Sequence, residues 1–147
     1  MISKPYFILL LLALPITSAY GEQFKDFGDY TIHYSAFTTD ILSPAVAKEY
    51  RITRSKNRAM INVSVLKKVM GTTGAPSRAV VAATATNLNK QLREIEFREV
   101  KEEGAIYYLA ELPVSNGETL NISLKVTPEG MTDPYMFSFQ EQFVTDY

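Results

Sequence analysis

The sequence predicts an all-β fold: an antiparallel sandwich of immunoglobulin-like architecture, with about eight strands and at most one short helix. Several runs alternate apolar and polar residues, as half-buried strands do. Glycine, proline and Asn-Gly turn signals separate those runs. No segment repeats its apolar residues every 3.6 positions for long enough to predict a major helix.

Residues 1–21 have the order of regions that is typical of a secretory signal peptide. Lys4 supplies a positive charge, the uncharged apolar run Tyr6–Ile16 follows, and small residues lead to cleavage after Ala19 or, as we favour, after Gly21. A spanning helix needs about 20 apolar residues, so this run is too short for a comfortable anchor. We therefore expect export, with no stable membrane span after signal cleavage.

Residues 22–147 are expected to form a single β-sandwich domain, since a chain of this length supports one core. Lys and Arg number 15 against 16 Asp and Glu, a formal charge of -1, so no nucleic-acid partner is predicted. The chain has no Cys and one His. These counts exclude disulfides, a cysteine nucleophile and multi-histidine metal sites, so we expect no metal and no cofactor.

Eight segments are candidate strands. The clearest places Leu120, Ile122, Leu124 and Val126 on one face. In chain order the candidates are Asp29–Phe37, Glu49–Thr53, Met60–Leu66, Arg78–Thr86, Leu92–Lys101, Ile106–Leu112, Thr119–Thr127 and Tyr135–Gln140.

Turn chemistry predicts how some of these strands pair. Gly104 closes a tight turn, so Leu92–Lys101 should pair antiparallel with Ile106–Leu112. Asn-Gly at 116–117 is a strong hairpin signal, so Thr119–Thr127 should be the next neighbour in the sheet. A short helix is predicted over Pro44–Tyr50, with Ser43 as its N-cap.

The last strand is rich in aromatic residues. Phe137, Phe139 and Phe143 share parity, so they should lie on one face of it. Core packing is the default role for such a face, and recruitment of a partner is the exception.

No catalytic motif is present. There is no G-x-S-x-G and no H-E-x-x-H, and no pattern of acidic residues matches a calcium loop. His33 lies in a predicted strand among aromatic residues and, with a nearby hydroxyl or carboxylate, is the one candidate general base. A structural role is far more common for such a histidine, so no catalytic residue is assigned.

One local cluster of charge stands out. A predicted turn in this slightly acidic chain carries four cations and an asparagine. We call it the basic turn; its residues are Arg51, Arg54, Lys56, Asn57 and Arg58. Grouped guanidinium and ammonium groups bind phosphates, carboxylates or anionic lipid headgroups. The ordinary alternative is a solvated turn kept positive for solubility.

Several motifs resemble a known family. They are His33-Tyr34-x-Ala36-Phe37, Leu42-x-Pro44-x-Val46-Ala47-x-x-Tyr50, Ile52-x-Arg54-Ser55-Lys56-Asn57-Arg58 and Asn62-Val63-Ser64-Val65. This pattern is similar to domain-of-unknown-function family 4426, a group of uncharacterised exported proteins of proteobacteria. The resemblance implies a Gram-negative periplasmic setting and a compact β-rich domain. It supplies no activity and no catalytic residues.

We therefore expect a non-catalytic module, periplasmic or secreted, that binds a protein partner or an anionic ligand through its strand edges and the basic turn. One alternative is a carrier that holds a small apolar or anionic ligand between the sheets. A less favoured alternative is a hydrolase that uses His33. The sequence leaves the partner's identity and the oligomeric state open.

Overall fold

Two antiparallel sheets face each other in the computed structural model, which describes residues 23–146. The predicted signal peptide, 1–21, lies outside the described residues. The strands are β1 (Gln23–Phe27), β2 (Tyr30–Thr38), β3 (Arg58–Lys67), β4 (Ala75–Pro76), β5 (Ala79–Asn87), β6 (Leu92–Ile95), β7 (Arg98–Glu102), β8 (Ala105–Pro113), β9 (Glu118–Pro128) and β10 (Tyr135–Phe143). Sheet A has the order β1-β2-β3-β8-β7, with β4 paired to β3, and sheet B has the order β10-β9-β5-β6.

The core between the sheets confirms the period-two pattern. Leu120, Ile122 and Leu124 of β9 are at most 2% exposed, and Ile61 and Val63 of β3 are fully buried. Burying a side chain of this size contributes about 1.5–3 kcal/mol, so these two central strands supply much of the stability. The predicted antiparallel sandwich is therefore the observed fold.

The hydroxyl of Tyr108 joins the two sheets. Tyr108 points inward from β8, accepts a hydrogen bond from the Ala79 amide of β5 at 2.8 Å, and donates one to Glu99 at 3.0 Å. Burial raises the pKa of this phenol above its usual value. The hydrogen bonds tie sheet A to sheet B beside the ion pair of Arg78 and Glu99, which are 3.3 Å apart.

The short helix, α1 (Pro44–Glu49), begins as predicted. Ser43 accepts a hydrogen bond from the Val46 amide at 3.2 Å, and Pro44 occupies the first turn. The proposed strand Glu49–Thr53 is wrong, because the helix continues into it and the chain then turns at Arg51, whose φ is 56°. Within residues 23–146 no helix is long and apolar enough to cross a membrane.

Residues 39–52, which include α1 and are here called the helical segment, cover the part of the outer face of sheet A around Tyr107 and Leu109 and create a second core. The helical segment places Leu42, Ala47 and Ile52 against Tyr107 and Leu109 of β8. Strand β8 is therefore buried on both of its faces, because the side chains of Tyr108, Ala110 and Leu112, on its opposite face, pack between the sheets.

Two predicted pairings are corrected. Leu92–Lys101 is divided, since β6 joins sheet B and β7 joins sheet A; only β7 pairs with β8 through the turn at Gly104. Thr119–Thr127 is not a neighbour of β8, because β9 lies between β10 and β5. The buried Val114 donates its amide hydrogen to the Asn57 carbonyl at 2.9 Å, so the chain crosses between the sheets here and forms no hairpin.

Candidate functional site

The basic turn connects α1 to β3, and Arg54 acts inside it. Its Nε donates to the main-chain carbonyl of Leu42 at 2.6 Å, and its Nη2 donates to the carbonyl of Asp40 at 3.0 Å. Thr39, which is fully buried, adds hydrogen bonds to the carbonyls of Thr53 at 2.7 Å and Ser55 at 3.2 Å. The guanidinium of Arg54 therefore fastens the basic turn to the helical segment.

The other members of the basic turn differ in their surroundings. Arg58 lies 3.6 Å from the carboxylate of Glu111 on β8. The main-chain amide of Asn57 donates a hydrogen bond to Ser55 Oγ at 3.1 Å. Arg51 and Lys56 are exposed. Two of the predicted cations are thus committed to internal partners, and binding by the basic turn stays a prediction.

His33 lies on the outer face of sheet A. Its ring centroid is 5.7 Å from that of Phe24 on β1, and Ser64 of β3 is its cross-strand neighbour. His33 and Ser64 are partly buried, and neither of the two depressions described below includes them. The geometry therefore places a serine beside the histidine, outside both of these depressions.

The two depressions are open to solvent. One, of about 670 Å³, is on the outer face of sheet B and is lined by Thr84, Glu94, Ser123 and Lys125 among others. The second, of about 480 Å³, lies at one end of the sandwich, where Arg93 pairs with Glu118 at 2.9 Å. Neither lies between the sheets.

A group of aromatic rings occupies the side where β1 and β2 meet β10. Phe27 stacks on Tyr135 with centroids 4.7 Å apart, and Tyr34 contacts Phe137 at 5.0 Å and Phe139 at 4.7 Å. We call this group the aromatic side; its residues are Phe27, Tyr30, Tyr34, Tyr135, Phe137 and Phe139. Phe27, Tyr135, Phe137 and Phe139 are partly exposed.

The inward face of β10 also carries a carboxyl group. Glu141 has the same parity as Phe139 and Phe143 and lies opposite the buried Leu120 of β9. Burial raises its pKa to about 7. No cation or hydrogen-bond donor among residues 23–146 contacts this carboxyl group.

Strand β1 extends past the edge of sheet B. β10 packs across the sandwich on β2, and it contacts β1 through Phe27, whose ring lies against Tyr135 and Phe137. By their pairing with Tyr34 and Ile32, Gln23 and Lys25 lie on the inner face of sheet A, yet both are exposed. β1 and the free edge of β10 therefore form a step, which we call the shelf.

Local sequence signals for two of these features exist. The parity that groups Phe137, Phe139 and Phe143 also places Glu141 on the inner face. The Gly-Asp pair before Tyr30, with Gly28 at a φ of 52°, marks the β1–β2 hairpin. Every residue of β1 except Phe27 is exposed, so apolar periodicity does not reveal the strand.

Comparison with known proteins identifies relatives of the chain. The profile of the family described as "Domain of unknown function (DUF4426)" matches residues 24–146. A crystal structure of a DUF4426 family protein from Pseudomonas aeruginosa has 39% sequence identity and a TM-score of 0.73, over 86% of this chain and 98% of that one. No curated protein matches the sequence.

More distant structures share the fold. FetP of uropathogenic Escherichia coli strain F11 has 9% identity and a TM-score of 0.59, over 86% of this chain and 95% of that one. Copper-reconstituted P19 of Campylobacter jejuni has 7% identity and a TM-score of 0.54, over 84% of this chain and 96% of that one. At these identities the likeness is one of architecture.

Proposed function

Since the chain belongs to the DUF4426 family, which is described as a domain of unknown function, we propose that it is a non-catalytic binding module that engages another protein through its aromatic side. The partly exposed ring cluster is the observation that carries this proposal. Clustered aromatic side chains at an open border are typical of interaction surfaces and provide their main anchors.

The surroundings of the candidate catalytic group favour binding over catalysis. A general base needs a nucleophile within hydrogen-bond reach and a cavity that excludes water. His33 has Ser64 across the strand pair and Phe24 beside it, but neither of the described depressions contains it. We therefore keep the hydrolase as the less favoured alternative.

The ligand-carrier alternative receives little support from the interior. A carrier of this size needs a cavity of about 300 Å³ or more between the sheets. Ile61, Val63, Leu120 and Ile122 fill that space and are fully buried. Both described depressions are open to solvent at other surfaces.

Copper, which P19 and a FetP variant bind, does not fit the donors of this chain. Copper sites use imidazole or sulfur ligands. His33 and the buried Met60 both belong to sheet A, but Met60 lies opposite Phe37, four residues from His33 along β2, which is about 13 Å. No cluster of three His, Cys, Asp or Glu residues exists within residues 23–146.

We place this module in the periplasm of a Gram-negative bacterium. The predicted signal peptide and the absence of a predicted stable span support this location. The relative from Pseudomonas aeruginosa and the FetP protein, which was produced in the periplasm, are consistent with it.

The experiment that tests this proposal is affinity capture from the native periplasm with two matched variants. Phe24 and Phe27 lie on opposite faces of β1. Phe27→Ala should reduce recovery of the partner about five- to tenfold, since it removes an anchor of about 1–1.4 kcal/mol. Phe24→Ala, on the outer face, should leave recovery unchanged. Equal recovery by all three proteins would refute the proposal.

A third variant tests the basic turn. Arg51→Glu with Lys56→Glu reverses two of its exposed cations and spares Arg54 and Arg58, which have internal partners. If this variant alone loses the partner, the binding site is the basic turn and the aromatic side is not involved.

A further inference from the structure

We infer that the free edge of β10 accepts one extended segment of a partner protein as an additional strand of sheet B, laid on the shelf over β1. This inference rests on the proposed function, because it specifies how the protein partner binds. An added strand gains affinity from main-chain hydrogen bonds and specificity from alternate side chains.

The first support is a comparison of the four sheet edges. β10 has 9 residues, against 5 in β1, 4 in β6 and 5 in β7. β10 carries one charged residue in its nine positions, Glu141, and its outward residues Met136, Ser138, Gln140 and Gln142 are uncharged. β7 carries Arg98, Glu99, Lys101 and Glu102, and charged, short edges are the usual protection against strand addition. β10 is therefore the least protected edge of the described strands.

The second support is the space beside that edge. Neighbouring strands lie about 4.8 Å apart and packed sheets about 10 Å apart. A strand added to β10 would therefore lie opposite β1, whose inner face is exposed at Gln23 and Lys25. Its inward side chains would meet Phe27 and the exposed Gln23 and Lys25. The shelf has room for one strand and supplies one side of a sandwich for it.

A second copy of this chain does not fit the same place. Antiparallel pairing of β10 with its counterpart would continue sheet B and put both A sheets on the same side. The counterpart's β2 packs on its own β10, so it would occupy the space that β1 already fills. The occupant is therefore an isolated strand of a different protein.

Glu141 specifies the chemistry of that strand. Its carboxyl group lies on the inward face of the edge and has no cationic partner within residues 23–146. Adding a strand would remove more water from it, which is unfavourable for a lone carboxylate. A lysine or arginine opposite Glu141 would compensate this charge. We expect a segment in which every second side chain points inward. These inward side chains should be apolar, except for one lysine or arginine opposite Glu141.

Site-directed crosslinking tests the inference, and the cysteine-free chain makes single-cysteine variants unambiguous. Ser138→Cys, Gln140→Cys and Gln142→Cys place a benzophenone label along β10, while Glu94→Cys places it on β6, the opposite edge of sheet B. Labelled proteins are crosslinked in the native periplasm, and the joined peptides are mapped by mass spectrometry.

Strand addition predicts a ladder. Each step of two residues along β10 should move the crosslinked position in the partner by two residues, because paired strands keep a fixed register. Glu94→Cys should give no such ladder. Crosslinks to a second copy of this chain, or crosslinks without register, would overturn the inference while leaving a partner in place. The absence of any crosslinked partner would overturn the proposed function as well.

A binding measurement then tests the predicted cation. The crosslinked segment, made as a synthetic peptide, is titrated into the wild type and into Glu141→Gln. We expect Glu141→Gln to bind the peptide about fivefold more weakly, and replacement of the peptide's cation by alanine to remove that difference. Equal affinity of the wild type and Glu141→Gln would contradict the predicted pairing.

Discussion

Phe27 and Tyr135 stack with ring centroids 4.7 Å apart and an interplanar angle of 18°, so that an edge strand of one sheet is joined to the edge strand of the other. Gly28, which follows Phe27, has a φ of 52°, and a Cβ there would lie 3.8 Å from the Tyr135 hydroxyl. The contact fixes one end of β1 over β10, while the other end, at Gln23 and Lys25, stays exposed. This arrangement produces the shelf on which the proposed interaction depends.

Arg54→Ala should destabilise the fold by about 1–2 kcal/mol, because it removes two hydrogen bonds to the carbonyls of Leu42 and Asp40. Urea unfolding measures the change. Lys48→Ala on the exposed face of α1 is the control and should fall within about 0.5 kcal/mol of the wild type. Equal stability of the two variants would show that Arg54 does not fasten the helical segment.

Tyr108→Phe should cost about 1–3 kcal/mol. The substitution keeps the ring but leaves the Ala79 amide and the Glu99 carboxylate without the phenol. The matched control is Tyr135→Phe, since the Tyr135 hydroxyl has no hydrogen bond within residues 23–146, and a shift of less than about 0.5 kcal/mol is expected there. Similar midpoints for both variants in urea would refute this role for Tyr108.

Phe143→Ala should destabilise the protein by about 3–5 kcal/mol, since Phe143 is fully buried and its removal leaves a cavity between the sheets. Met136→Ala, on the same strand but 68% exposed, is expected to change stability by less than about 1 kcal/mol. Thermal unfolding compares the two. A small effect at Phe143 would mean that the end of β10 is not packed as described.

Glu141→Gln should change how stability depends on pH. Burial raises the pKa of Glu141 from 4.5 to about 7, so between these values the folded state binds more protons than the unfolded state. Stability of the wild type should therefore fall as pH rises through this window, and it should do so less in Glu141→Gln.

The exposure of the glutamate side chains sets the expected size of this pH-dependent stability change and the choice of control. Because the side chain is partly exposed, the advantage of Glu141→Gln at pH 8 should be about 1 kcal/mol. Glu94→Gln, on an exposed position of β6, should keep the wild-type pH dependence. A Glu141→Gln protein that is less stable than the wild type at pH 8 would contradict the account.

The sequence predicted those elements whose pattern is local. The alternation in β3 and β9 gave the buried faces, and Ser43 and Pro44 gave the start of α1. The split between β6 and β7 was missed because Leu92–Lys101 has no turn signal at the point where the chain changes sheets. The partly buried Phe97 lies at this point and packs against the core between the sheets. That contact is made with residues distant in sequence, so the local pattern does not show it.

The candidate site was predicted only in part. Charge singled out the basic turn, but charge does not show that Arg54 bonds to carbonyls 12 and 14 residues away. The aromatic parity of β10 was correct, and the contacts of Phe137 and Phe139 with Tyr34 became visible only when the two sheets were assembled. The shelf depends on how many strands each sheet contains, which no local pattern encodes.

Amide hydrogen exchange of the purified protein, with and without the captured partner, tests the central claim most directly. Strand addition predicts that the main-chain amides of β10 that point away from β9 exchange about tenfold or more slowly on binding. The exchange rates of the amides of β6 and β7 should not change. Protection confined to residues 51–58, with β10 exchanging as before, would contradict it.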